Sequence, residues 1–269
     1  MKKILILILA TLALSQTLYA YVLNKGALNG SRWRSYPIAM NINTADSGLS
    51  VENIDAIFSK EMNKWNGAIG FNALELDSNN VVSSGDTMKV DGSNQIGFSL
   101  NFQSDSGGFD PQSTVAVAGQ YGDGYAMTDA FMVFNSQYVE WYADDVTSLQ
   151  QRAYKDHLPT IVLHELGHVL GLGHSLNLSA IMAAVRETKI EMTLTDDDIT
   201  GVKYLTSTDG STSGGSSDGK GLNSTFGGCA TITGTNGTGG SGNISGNAAL
   251  MLLPMISLLL MRRKIAVQA

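Results

Sequence analysis

Apolar and polar positions change period several times along the chain. In YPIAMNIN, Tyr36 to Asn43, the pattern alternates around Ile38, Met40 and Ile42, which predicts a strand. After Ser50 the period lengthens. Val51, Ile54, Ile57, Phe58, Met62 and Trp65 recur at helical spacing, with Ser50 placed to cap the start and Gly67 near the end. FNALEL (Phe71 to Leu76) and QIGFSLNF (Gln95 to Phe102) predict two more strands across a Gly/Asn/Asp-rich loop. STVAVAG and AFMVFN predict a further pair joined by the turn QYGDG. A second helix follows, carrying most of the histidines. Strands with a helix before and after them predict an α+β domain with a mixed sheet.

The two ends depart from this pattern. Met1-Lys2-Lys3, the apolar run Ile4 to Leu14 and the small residue Ala20 have the form of a secretory signal peptide over residues 1–20, cleaved before Tyr21. Residues 21–206 form the predicted domain. Residues 207–246 are mainly Gly, Ser, Thr and Asn and read as a linker that contains Cys229. Residues 247–269 hold the apolar run Ala248 to Met261 and then Arg262, Arg263 and Lys264. As a helix that run is about 21 Å long, against a hydrocarbon core of about 30 Å, so it inserts only with snorkelling or thinning. The layout resembles bacterial C-terminal sorting signals, with Cys229 where attachment occurs in some of them. It implies a protein exported and held at the envelope, or released from it, with sorting machinery as a partner.

Composition narrows the choices. The formal net charge is −7, so no basic patch is available to neutralise phosphates, and nucleic acid is not an expected partner. One cysteine, Cys229, forbids an intrachain disulfide. The fold must be held by its core and by any bound metal.

The chemistry concentrates in HELGHVLGLGHS, His164 to Ser175, which contains three of the four histidines. His164 and His168 are four apart and share one helical face, so both imidazoles reach one ion, with Glu165 beside the first. His174 lies six residues past His168. It cannot stay on the same helix and still converge, so the helix must stop and turn. Gly171 is the residue to turn it at positive φ. Three neutral imidazoles leave one position open on a tetrahedral zinc ion, as catalytic sites do. Such an ion acidifies its water, and Glu165 is placed to act on that water as general base.

The full pattern His164-Glu165-x-x-His168-x-x-Gly171-x-x-His174 resembles the metzincin metalloproteases, and Ser175 directly after it resembles the matrixin branch. The resemblance covers about residues 32 to 206. It implies a twisted mixed five-stranded sheet, an active-site helix, a Met-turn at Met182 as a support under the metal, and a C-terminal helix. VAVAGQYGDGYAMTDAFMVFN (Val115 to Asn135) is similar to the edge strand, turn and last strand of bacterial matrixin-like proteins, and LTDDDITGVKYL (Leu194 to Leu205) to their final helix. Thr195 and Asp198 also form a capping box there. The resemblance implies that the edge near Val115 to Gly119 takes extended protein or peptide substrate by strand addition.

There are departures from the family pattern. Ala183 and Ala184 follow Met182 where matrixins often have Tyr-Pro. No cysteine precedes the motif, so the propeptide switch of animal matrixins is not expected. Only His157 remains beyond the trio, too few for their second, structural zinc. It is about 10 Å along a helix from His164, too far to share the ion, and fits a surface or capping histidine. The Asp/Gly loops leave room for calcium, with no assignable ligand set. The expected function is an exported zinc endopeptidase. The alternative is a catalytically inactive zinc-binding surface or adhesion protein of the same fold. Retention of Glu165 favours the enzyme, because a dead relative can lose it and keep its metal.

Overall fold

A computed structural model describes residues 21–77, 91–143, 155–184, 193–207 and 225–229. The chain divides into two units after Thr233, and every described residue lies in the first. The predicted signal segment 1–20 and apolar segment 247–269 fall outside the described residues. Among the described residues, no helix is long and apolar enough to cross a membrane.

The central sheet is built from β3 (Ile38–Asn43), β4 (Leu74–Asp77), β5 (Asn94–Ser99), β6 (Ala116–Gly122) and β7 (Ala126–Asn135). Two more strands join it, β2 (Arg32–Trp33) beside β7 and β11 (Thr225–Cys229) beside β6. The order is β11-β6-β7-β5-β3-β4, with β2 off this path. Pairing is parallel among β4, β3, β5 and β7, and antiparallel at β6 and β11. The sheet is therefore mixed, as expected. With seven strands among the described residues it is larger than the expected five. β2 is too short to show a period. β11 lies within the stretch read as linker, where Gly227 and Gly228 hide a strand that begins at Thr225.

Boundaries moved where side chains redirect the backbone. The strand expected to run to Phe102 ends at Ser99, and Phe102–Asp105 is the one-turn helix α3. There the Ser99 hydroxyl donates to Asp105 at 2.6 Å and accepts from Asn101 N–H at 2.9 Å, which turns the chain. β6 runs three residues further than expected, through part of the predicted turn. Its register shifts at Tyr121/Gly122, and Gly122 lies so close to the Ala126 carbonyl that a β-carbon would not fit.

Counting from the N-terminus, α1 is Lys25–Leu28 and α2 is Val51–Ile69. Ser50 caps α2 by accepting from Asn53 N–H. The helix ends at Gly70, at φ 96°, three residues past Gly67. Its buried face is Ile54, Ile57, Phe58, Met62 and Trp65, as the spacing predicts, together with Glu61. Phe58, Phe98, Phe134 and Trp141 make an aromatic cluster with centroid separations of 5.0–6.2 Å. Each such ring buried contributes about 2–3 kcal/mol.

α4 (Leu158–Leu170) is buried on all sides. It packs against α2 and β6. Two tryptophans tie it to α2 and β2. Trp65 Nε1 of α2 donates to the Leu163 carbonyl at 2.9 Å, and Trp33 Nε1 of β2 to the Val169 carbonyl at 2.8 Å. The strands β8 (Glu140–Tyr142) and β9 (Lys155–His157) lead into it. β10 (Leu172–Gly173) leaves it and pairs with β1 (Val22–Leu23). The last helix, α5 (Asp196–Thr206), has the predicted Thr195–Asp198 capping box.

Candidate metal centre

The site grows from the end of α4. His164 and His168 stand one turn apart on it. Gly171 then ends the helix in the left-handed region, at φ 113°, with its N–H reaching back to the Gly167 and His168 carbonyls. That is the conformation glycine adopts without a β-carbon penalty. The exit is fixed by Asn24 N–H, which donates to the Gly171 carbonyl at 3.0 Å, and by the pairing of Val22 with Gly173. Gly173 approaches the Leu23 backbone closely, at 3.1 Å from a β-carbon to the Leu23 carbonyl oxygen.

This exit brings His174 back to the other two. His168 Nε2 is 3.1 Å from His164 Nε2 and 3.2 Å from His174 Nε2. His164 Nδ1 is 2.6 Å from the Ile181 carbonyl, and His168 Nδ1 is 2.8 Å from the Leu172 carbonyl. A carbonyl only accepts, so both Nδ1 atoms carry the proton and donate. In the neutral rings the Nε2 atoms of His164 and His168 are then unprotonated, and they face each other. Two lone pairs at that distance repel unless a cation lies between them.

The donor set fits zinc. Tetrahedral nitrogen ligands at about 2.05 Å from the ion lie about 3.3 Å apart, close to the separations found. The carbonyls that hold each Nδ1 are the outer-shell partners that fix tautomer and ring orientation in such sites. Burial, together with the neighbouring His174, pushes His168 down to about 3, and burial pushes His174 down to about 4. Both imidazoles are therefore neutral and able to ligate at pH 7. Among the described residues, His164, His168 and His174 are the one group of three or more His, Cys, Asp or Glu side chains close enough to share an ion.

Glu165 is fully buried next to His164 on α4. A carboxylate held out of water is costly unless positive charge is near, which a bound divalent ion supplies. His157 is at the N-cap position of α4, as one of its two expected places, but it is buried and not on the surface. It makes no capping bond to the backbone, and its Nδ1 is 2.7 Å from Thr160 Oγ1.

Met182 is buried in a turn in which Ala183 N–H donates to the Ala180 carbonyl at 3.2 Å. Its sulfur rests against Gly167, between the two helical histidines, where a β-carbon would overlap it. Ser175 N–H donates to the Met182 carbonyl at 2.6 Å, so the segment after His174 is bonded to this turn.

Sequence reasoning missed two residues here. Asp198 accepts from Ile181 N–H at 3.0 Å, Met182 N–H at 3.1 Å, Thr195 N–H at 2.8 Å and Thr195 Oγ1 at 2.7 Å. It thus holds the backbone of the residue whose carbonyl orients His164. Asp197 accepts from the Ser175 hydroxyl at 2.6 Å. The capping-box spacing marked Asp198 as a helix start. Its second task depends on a turn that only the tertiary fold brings near.

Comparison with known proteins gives a consistent set of relatives. A family model described as Matrixin matches residues 32–206. The chain is 34% identical over 97 residues to Metalloendoproteinase 1 of Glycine max, covering 36% of this chain and 32% of that protein. It is 27% identical over 158 residues to Metalloendoproteinase 1-MMP of Arabidopsis thaliana, covering 58% of this chain and 39% of that protein. The chain thus spans between 32% and 39% of the length of these two curated relatives.

Proposed function

The chain belongs to the matrixin family, and we propose that it is an exported zinc-dependent endopeptidase. The observation that carries this reading is the meeting of three imidazoles, two with Nδ1 committed to carbonyls and Nε2 turned towards the common centre. That arrangement supports His164, His168 and His174 as the zinc ligands.

Bound zinc supplies Lewis acidity towards the scissile carbonyl and lowers the pKa of water at the site towards about 7. The rest falls to the chain's own residues. Glu165 takes the proton from the attacking water and returns it to the leaving amine. Gly171 positions His174. Met182 is the family's Met-turn residue and supports α4 from below through Gly167, without a chemical role. The β6 edge binds the substrate as an added strand, using main-chain bonds.

The signal-like segment 1–20 supports export, and the apolar segment 247–269 with its basic stop supports retention at an envelope. Cys229→Ser combined with deletion of 247–269 tests that retention by cell fractionation. Unchanged envelope association would remove the sorting reading and leave the peptidase reading standing.

The peptidase reading is tested on purified protein with a broad peptide library. Hydrolysis should vanish when zinc is chelated and return when zinc is restored. Protein that binds zinc and cleaves nothing in the library supports the inactive zinc-binding alternative.

A further inference from the structure

The β6 edge already has an occupant. β11 lies antiparallel along it, with Thr225 opposite Gln120, Phe226 opposite Gly119, Gly227 opposite Ala118, Gly228 opposite Val117 and Cys229 opposite Ala116. The outward N–H and C=O groups of an edge strand accept one partner at a time. A substrate that adds there must therefore compete with β11.

The edge is coupled to the metal centre. β6 packs on α4. Asn24 also bridges the two, because its Nδ2 donates to Gln120 Oε1 at 2.6 Å while its N–H donates to the Gly171 carbonyl at 3.0 Å. Gly171 is the turn that delivers His174. A strand bound along Ala116 to Gln120 lies on the same local framework as the third histidine.

We propose that Thr225–Cys229 is a self-inhibitory strand, in which the chain's own downstream segment occupies the substrate edge. This rests on the reading of β6 as that edge. The segment follows α5 by about 18 residues of Gly/Ser/Thr-rich sequence, and tethers of that kind give effective concentrations in the millimolar range. Its centre, Gly227-Gly228, has no side chain to fill a pocket. It is held there by main-chain bonds, so a peptide that adds side-chain contacts can displace it.

The test uses the full chain loaded with zinc. Gly227→Pro/Gly228→Pro places two adjacent prolines in the strand. Adjacent positions alternate in bonding direction, so at least one ladder N–H is lost. Gly214→Pro/Gly215→Pro is the control outside β11. Hydrogen exchange of residues 116–120 and hydrolysis of a fluorogenic peptide are measured together. Disruption of β11 should speed exchange there and raise kcat/KM, each about tenfold or more, as expected for an edge free about one-tenth of the time. The control should change neither. A synthetic peptide of residues 222–231 carrying Cys229→Ser, added to the strand variant, should raise KM and leave kcat unchanged. Unchanged exchange in the strand variant overturns the proposal. So does faster exchange with hydrolysis no faster than the parent's. If the parent and both variants bind zinc and none hydrolyses peptide, the peptidase reading fails and takes this proposal with it.

Discussion

The sulfur of Met182 occupies the place that a β-carbon on Gly167 would take. The glycine between the two helical histidines therefore makes room for the Met182 sulfur. Gly167→Ala sets two effects against each other. Alanine gains about 1 kcal/mol of helix propensity, but overpacking against Met182 and Trp65 costs about 1–3 kcal/mol. The overlap is with a tightly buried sulfur, so net destabilisation is expected. With Met182→Ala added, the alanine at 167 should cost less. A double-mutant cycle of urea midpoints measures this coupling, and strict additivity would contradict it.

Gly171→Ala should damage the metal site more than the fold. The residue is at φ 113°, and a β-carbon would also meet Met127 at 3.2 Å and Leu205 at 3.3 Å. The strain costs about 1–3 kcal/mol. Because Gly171 aims the segment that carries His174, zinc affinity should fall by about tenfold or more in a chelator competition assay. Unchanged affinity would mean that His174 reaches the site independently of this turn.

Asp198→Asn tests the link from α5 to the metal. Asparagine puts an NH₂ group among four donors, which leaves buried N–H groups unpaired at a cost of about 2–4 kcal/mol. The Ile181 carbonyl then loses its anchor, and His164 its fixed tautomer. Weaker zinc binding, about tenfold, should accompany the loss of stability. Capping-box loss by itself predicts lower stability with unchanged zinc affinity, so the two measurements separate the roles.

The metal-free protein should lose stability as pH falls. Folded His168 and His174 protonate only near about 3 and about 4, whereas their ordinary value is 6.5. Between these limits the unfolded chain binds more protons. The contribution is thus fully present above about 6.5 and is lost as pH falls towards 4 and 3, at about 1.4 kcal/mol per pH unit for each histidine. Urea unfolding of chelated protein from about pH 7 to pH 5 measures the slope. A flat profile would contradict the burial argument.

Much of the site was legible because its chemistry is written in short spacings. His164, His168, Gly171 and His174 lie within eleven consecutive positions, and their meeting follows from one helix and one turn. Ser50 and the apolar face of α2 were equally local. What stayed hidden depends on distant partners. β1 and β2 have two residues each, and their places are set by Gly173 and by Ala126 and Met127. Gln120 looked like a turn residue, yet it continues β6 and is bonded to Asn24. The buried setting of His157 and the reach of Asp198 to the Met182 turn likewise arise only when separate elements pack.

In the proposed mechanism, zinc held by three histidines works with Glu165 to hydrolyse peptide bonds. The most direct measurement compares zinc content and peptide hydrolysis in parent and Glu165→Gln protein. One zinc per chain is expected in both, with a rate lowered by about 10²–10⁴-fold in the variant. A variant that keeps its zinc and hydrolyses peptide as fast as the parent would contradict it.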